Sequence, residues 1–408
     1  MAERSFRLLH AGDFHLEQPA HGLTDAPDHL RSLLLELPYR AAERVFDLAI
    51  SERVDFVVLA GDLLDASLAG PHGPKFLCEQ FERLALRGVP VYWSSSGLDA
   101  AERWPHGCRL PDNVHRLVRN RQEACVFEND GQPMAWITIP PHETFERPRL
   151  RGIPLEREEL RHIVVAHGEY VPFDLDEKVD YWALGGKHQR ETVRDSDSVA
   201  HYAGTTQGRS FAEPGVHGCT LVQITSFAPP RLSFLPTSAL VWHDLTLEID
   251  ETTTRERLER LLRERTAALA VAQPERDQFI RWMVHGSGPL LRRLRHGTLA
   301  ADLVGTLREQ FGRTRPAVWT ESLRIRAADV IGTTSEEDTL LGAYLRELRT
   351  YRFDEQQPLD LREYLPEGRT PDALGDAAWR DSDQPRTALL EEAAALGIDL
   401  LSEPEELS

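Results

Sequence analysis

Two carboxylates and three histidines stand just past apolar runs in this sequence: Asp13 and His15 in HAGDFHLEQP, Asp62 in VVLAGDLLD, His167 in HIVVAHG and His188 in YWALGGKHQ. Carboxylate oxygens and imidazole nitrogens together are donors that Mn²⁺, Fe²⁺ or Zn²⁺ accepts, so the chemistry on offer is metal binding. In an extended segment residues i and i+2 share a face, which predicts that Asp13 and His15 point the same way. One D-x-H in a chain with 16 histidines is weak evidence. The ordered set, each member at the end of a buried strand, is what predicts a metal cluster.

The elements that position these residues are legible in the apolar pattern. FRLLHAG, DFVVLAGDLLD, VPVYWSSSG, MAWITIP, HIVVAHG and VDYWALGG each read as a buried strand. Between the first two, Tyr39 to Arg53 carries apolar residues at helical spacing. Strand–helix alternation predicts a layered α/β domain, with ligands at the carboxyl ends of the strands. After Pro236 the pattern changes to strand (SALVWHDLTLEID), helix (RERLERLLRERTAALA), strand (DQFIRWMVHG) and helix (LAADLVGTLREQFG). Helices are expected over Glu337–Arg349 and Arg386–Leu396 in the acidic remainder. The expected domains are residues 1–238, 239–330 and 331–408.

Composition narrows the function classes. With 41% apolar residues in a chain of 408, a large core can be buried. No apolar run approaches the roughly 20 residues of a membrane span. MAERSFRLLHAGDFHL lacks the apolar stretch of a signal peptide, so a cytoplasmic protein without membrane contact is expected. Cys78, Cys108, Cys125 and Cys219 form no CxxC pair; buried, reduced thiols are expected rather than a zinc finger or a disulfide framework. The net charge of -19 opposes nucleic-acid binding, but it is unevenly spread: 20 acids face 7 bases from Ala327 onward, whereas 15 arginines face 9 acids between Arg255 and Val330. Arg292, Arg293 and Arg295 in LLRRLRHG are the candidate phosphate contact, with a solvated helix end as the alternative. Trp93, Trp104, Trp136 and Trp182 read as core or strand residues rather than base-stacking platforms, and Arg209 as the partner of an acid such as Glu213.

In this order the motifs resemble the SbcD-type branch of the calcineurin-like metallophosphoesterases. HAGDFHLEQP is similar to that branch's first motif, AGDLLD to its second, VVAHGEY to the histidine motif and YWALGGKHQRE to a G-H-x-H motif. HYAGTTQGRSFAEPGVHG is similar to a segment particular to the branch, and the likeness covers about residues 6–235. The resemblance implies a four-layered α/β sandwich, two mixed β-sheets flanked by helices, with a small α+β capping domain and a helical C-terminal tail. It implies two metal ions, usually Mn²⁺, that hold the scissile phosphate. One would be held by Asp13, His15, Asp62 and His188. The other would take Asp62 as bridge, His167, an asparagine and a further histidine.

The last two ligands are missing. Where the family reads G-N-H-D, the ungapped alignment has Gly97 at the asparagine, Leu98 at the histidine and Asp99 at the aspartate, and a one-residue shift puts Leu98 and Asp99 at the asparagine and histidine instead; Gly186 replaces the first histidine of G-H-x-H. Asp99 is the candidate catalytic residue, and with His142 and Glu143 a candidate to complete the site from another direction. The implied function is a nuclease subunit for DNA ends, a homodimer working with an SMC-like coiled-coil ATPase of the SbcC type, its activity weakened by the incomplete second position. A catalytically inactive scaffold and a small-nucleotide phosphodiesterase are the alternatives. Two apolar stripes in the tail are the expected ATPase docking face: Leu340, Leu341, Tyr344, Leu345 and Leu348, then Leu389, Leu390, Ala393, Leu396 and Leu400. Their alternative is packing on their own chain.

Overall fold

The computed structural model describes residues 5–23, 28–117, 124–139, 160–170, 175, 178–226, 228–295, 297–326, 340–353, 390, 393–394 and 397. His142, Glu143 and most of the expected helix Arg386–Leu396 lie outside the described residues.

The apolar runs fold as strands of two six-stranded sheets. The first contains β1 (Ser5–Ala11), β2 (Phe56–Leu59), β3 (Val91–Ser94), β4 (Val114–Leu117), β11 (Gly218–Thr225) and β12 (Arg231–Pro236), in the order β12-β11-β1-β2-β3-β4. The second contains β5 (Ala124–Asn129), β6 (Gln132–Thr138), β7 (Arg161–His167), β8 (Tyr181–Gly185), β9 (Glu191–Asp195) and β10 (Val199–Tyr202), in the order β5-β6-β7-β8-β10-β9. β1 to β4 are parallel, with antiparallel β11 and β12 at one edge. In the second sheet β6, β7, β8 and β10 are parallel and both edges antiparallel.

Side-chain alternation then sets the layers. Leu8, Phe56 and Val58 join Ile163, Val165, Tyr181 and Ala183 of the second sheet in one core. Their neighbours Leu9, Val57 and Leu59 join Val45, Phe46, Leu77 and Phe81 in another, on α1 (Asp28–Ser51) and α2 (His72–Ala85). A strand that buries both faces needs apolar residues at every position, which is why these runs are continuous rather than alternating. The result is two mixed sheets flanked by helices, as the resemblance implied.

Helix α1 starts well before the expected Tyr39 and carries Pro38 inside. An internal proline costs about 3 kcal/mol. The added turns bury Leu30, Leu33, Leu34 and Leu37 in a cluster with Phe211, Leu240 and Trp242, and each such leucine contributes about 1.5–3 kcal/mol. Tertiary burial therefore outweighs the local breaker.

Past β12 a three-stranded sheet follows, β13 (Leu240–Ile249), β14 (Asp277–Gly286) and β15 (Val318–Ile325), interspersed with α3 (Arg255–Ala272), α4 (Pro289–Arg295) and α5 (Leu299–Phe311). The chain divides into two compact units: Met1–His243 with Ala272–Phe279 and Thr314–Glu321, and Asp244–Val271 with Ile280–Arg313 and Ser322–Ser408. In the second, α6 (Leu340–Phe353) turns its stripe toward residues of its own chain. Leu345 clusters with Leu390 and Ala394, and the Tyr344 hydroxyl donates to the Ala393 carbonyl at 2.8 Å. Among the described residues no helix is long and apolar enough to cross a membrane.

Candidate metal centre

Each expected ligand lies at or just beyond the carboxyl end of a strand. Asp13 and His15 follow β1, Asp62 follows β2, His167 closes β7 and His188 follows β8. Asp13, His15 and Asp62 have φ of 51°, 47° and 51°. Such left-handed backbone is uncommon outside glycine and costs of order 1–3 kcal/mol per residue, so surrounding bonds must enforce it. They do so here: the Asp13 amide donates to the Gly61 carbonyl (3.0 Å), the His15 amide to that of Asp62 (3.1 Å), and the Thr205 hydroxyl to that of Asp13 (2.7 Å). The D-x-H pair is therefore not extended. Its side chains converge because both residues turn back, not because i and i+2 share a strand face.

All five side chains come together. Asp13, His15 and His188 form one group of donors within 4.8 Å of one another, and Asp13, Asp62 and His167 form a second. His15 Nε2 lies 3.2 Å from His188 Nε2 and 3.9 Å from Asp62 Oδ2, which is in turn 3.4 Å from His167 Nε2. Facing imidazole nitrogens repel unless a proton or cation lies between them, so this geometry and donor set fit a divalent transition metal. Asp13 is the member common to both groups, whereas the resemblance gave that place to Asp62.

The second nitrogen of each histidine faces a carbonyl or carboxylate oxygen. His167 Nδ1 donates to the Ala60 carbonyl (2.8 Å), His188 Nδ1 donates to Glu213 Oε1 (2.6 Å), and His15 Nδ1 lies 3.7 Å from buried Glu17 Oε1. The hydrogen bonds of His167 and His188 fix their tautomers and leave Nε2 for a metal, whereas the His15–Glu17 approach is longer than a hydrogen bond. Gly61 makes the His167 position feasible: a Cβ there would sit 2.8 Å from His167 Nδ1. Buried Arg209 donates to Glu213 through its amide (2.8 Å) and Nη2 (2.7 Å), and through Nη1 to Gln18 (2.5 Å). Burial works against the Glu213 charge, but bonds from His188 and Arg209 outweigh it and hold the carboxyl well below its ordinary range. The Arg209–Glu213 pair was visible as a four-residue spacing. Its support of His188, in a different segment of the chain, needed the fold. Glu213→Gln should weaken metal affinity about 10–100-fold. Unchanged affinity in a Mn²⁺ titration would remove Glu213 from that role.

Charge in the cluster is coupled. Burial lifts the Asp13 carboxyl to about 6, with His167 opposing. At His167 burial disfavours the charge, yet the Asp62 carboxylate beside it wins and raises the imidazole to about 9. At Asp62 burial is in turn outweighed by His167 and a Ser96 hydrogen bond, which bring it to about 2. Metal ligands must shed their protons. Affinity should therefore rise with pH between about 6 and 9 as His167 is freed, and fall more steeply below 6 where Asp13 also holds a proton. A flat affinity profile across that range would contradict a protonated His167.

Asp99 is placed elsewhere. It is fully buried and accepts from the Ser96 amide (2.5 Å) and hydroxyl (2.9 Å), the Leu63 amide (3.0 Å) and Trp93 Nε1 (3.2 Å). With its acceptor sites used in this way, it ties the turn after β3 to the Asp62 loop and belongs to neither donor group. The two glycines that the resemblance sets at ligand positions differ. A Cβ on Gly97 meets nothing within 4 Å. Gly186 has φ +99°, and its amide donates to Asp13 at 3.0 Å; a Cβ there would meet the Gly168 amide nitrogen at 3.0 Å and His167 Nε2 at 3.4 Å. On α4, Arg292 and Arg293 are exposed and Arg295 partly buried, while Leu290, Leu291 and Leu294 face inward.

Residues 242–328 match the family described as Metallophosphoesterase YhaO, middle domain. The metallophosphoesterase YhaO of Bacillus subtilis (strain 168) is 26% identical over 334 residues, covering 76% of this chain and 79% of that protein. The DNA double-strand break repair protein Mre11 of Methanosarcina mazei is 22% identical over 240 residues, covering 55% of this chain but only 37% of its own length. A dimetal phosphatase from Danio rerio aligns at 12% identity over 57% of this chain and 98% of that one, with a TM-score of 0.34.

Proposed function

We propose, for a chain of the metallophosphoesterase superfamily, a metal-dependent phosphodiesterase of the SbcD kind that acts on DNA ends, with turnover weakened by an incomplete second metal position. The observation that carries this reading is the convergence of Asp13, His15, Asp62, His167 and His188, with both ring nitrogens of His167 and His188 assigned. A divalent ion, when bound, would supply Lewis acidity toward a phosphoryl oxygen and lower the pKa of water. The chain's own residues set how well that chemistry runs. Asp13 and Asp62 bring two carboxylates to one cluster. Glu213 and Arg209 hold His188 in place. Gly97, Leu98 and Gly186 supply neither a ligand nor a proton donor, and loss of a general acid costs about 10²–10⁴-fold in rate.

A DNA substrate is supported by the likeness to Mre11 and by the arginines of α4. The SMC-like ATPase partner and the homodimer rest on the resemblance. The α6 stripe is partly covered by Leu390 and Ala394 of the chain itself, so any partner would meet that pair rather than a bare helix. Manganese is proposed on the resemblance and on the mixed imidazole–carboxylate donor set. Linear duplex DNA with Mn²⁺ should be cleaved feebly, and Asp13→Ala should remove that cleavage. Brisk wild-type turnover would overturn the weakened-site reading. Metal and DNA binding with no hydrolysis would favour an inactive scaffold, a second reading that the crowded Gly186 position supports.

A further inference from the structure

The four cysteines were expected to be separate buried thiols, yet Cys78 Sγ lies 3.0 Å from Cys108 Sγ. A disulfide is only about 1 Å shorter. We propose that Cys78 and Cys108 form a reversible disulfide site that tethers the β3–β4 connection to α2. This inference is independent of the proposed function.

The two thiols differ in access. Cys78 lies on α2 and is buried, whereas Cys108, in the connection, is partly exposed. The connection is already fixed at both ends. Asp99 anchors its start through Ser96 and Leu63, and the Asn113 side chain anchors its finish by donating to the Phe81 (3.2 Å) and Val89 (2.9 Å) carbonyls. In between, Trp104 Nε1 donates to the Cys108 carbonyl at 2.7 Å and the Trp104 ring packs on Trp93. The sulfur pair is therefore held by a framework that does not depend on the bond.

The oxidant is a low-molecular-weight disulfide, RSSR. The more accessible Cys108, as thiolate, attacks one of its sulfurs; a Cys108–S–S–R bond forms and RS⁻ leaves, taking up a proton. Cys78 then loses its proton and attacks the Cys108 sulfur, expelling the second RS⁻, which is protonated in turn. Two protein thiols thus surrender two electrons and two protons, and RSSR becomes two RSH. Burial raises the Cys78 thiol above its ordinary range, so loss of its proton in the second step becomes easier as pH rises. In a reducing compartment the pair stays as thiols, and oxidising conditions close it.

The test uses the full chain, equilibrated in mixtures of oxidised and reduced glutathione, quenched in acid, denatured, alkylated and digested. Free thiols should fall from the four of the reduced chain to two, with one linked peptide joining Cys78 to Cys108. Dithiothreitol should reverse the change. Hydrogen exchange across residues 100–113 should slow in the oxidised protein, and Cys108→Ser should leave Cys78 unmodified. The mapping on wild-type protein needs no variant to fold. Four alkylated cysteines after oxidation, a lasting glutathione adduct on Cys108 without cross-linking, or linkage of any other pair would overturn the proposal.

Discussion

Asp13→Ala should abolish metal binding at both positions, whereas His167→Ala should remove only one. Asp13 belongs to both donor groups, and its two carboxylate oxygens accept the Gly186 amide at 3.0 and 3.1 Å. Its loss takes away a ligand and a negative charge together. Outer-sphere losses alone cost about 10–100-fold in affinity, so loss of a shared ligand should exceed that range. Asp62→Ala should come close to the same effect, because Oδ2 lies between His15 and His167. His167→Ala leaves Asp13, His15 and His188 with their supports. Calorimetric titration with Mn²⁺ reads the difference. Equal loss from Asp13→Ala and His167→Ala would mean one indivisible group rather than two. The metal-free Asp13→Ala protein should remain folded, since burial already disfavours this carboxylate.

The second large effect separates the two positions where the resemblance expects further ligands. Gly97→Asn with Leu98→His should raise phosphodiester hydrolysis, by up to the roughly 10²–10⁴-fold that a general acid supplies. A side chain at Gly97 projects into open space, so the substitution carries little steric cost. Gly186→His should do the opposite. Its left-handed backbone costs a non-glycine residue about 1–2 kcal/mol, and the new Cβ would press on the Gly168 backbone and His167 Nε2. A lower Tm and weaker metal binding are expected, even though the change restores a family motif. If Gly186→His folds normally and raises activity while Gly97→Asn with Leu98→His does nothing, the assignment of the two positions is reversed.

How much could be read beforehand follows from what each element owes to local pattern. Strands β1, β2, β3, β7 and β8 bury both faces, so their continuous apolar runs announced them and placed the five candidate ligands at strand ends. The edge strands β9, which is largely polar, and β12, whose residues are mostly exposed, were not seen. The first half of α1 was hidden by Pro38, whose penalty is offset only by leucines packing on Phe211 and Trp242, far along the chain. At the site, residue types and order were legible but their conformations were not. A sequence does not display the φ of Asp13, and the D-x-H spacing was read with the wrong backbone. Asp99 looked catalytic because it aligned with a motif aspartate. The alignment did not show its bonds to Ser96, Leu63 and Trp93, which tie two loops together. Glu213 supports His188 from another segment and left no spacing signal that pointed to a metal. The Cys78–Cys108 approach, 30 positions apart in the chain, was equally invisible.

The cluster should behave as a metal centre with one strong and one weak position. The most direct test is titration of the chelator-treated full chain with Mn²⁺, with bound metal counted by elemental analysis. One equivalent should bind tightly through Asp13, His15 and His188. A second, dependent on Asp62 and His167, should bind at least about tenfold more weakly, because the resemblance sets Gly97 and Gly186 where its further ligands would stand. Two equivalents of equal, tight affinity would contradict the incomplete second position, and no bound metal would contradict the centre itself.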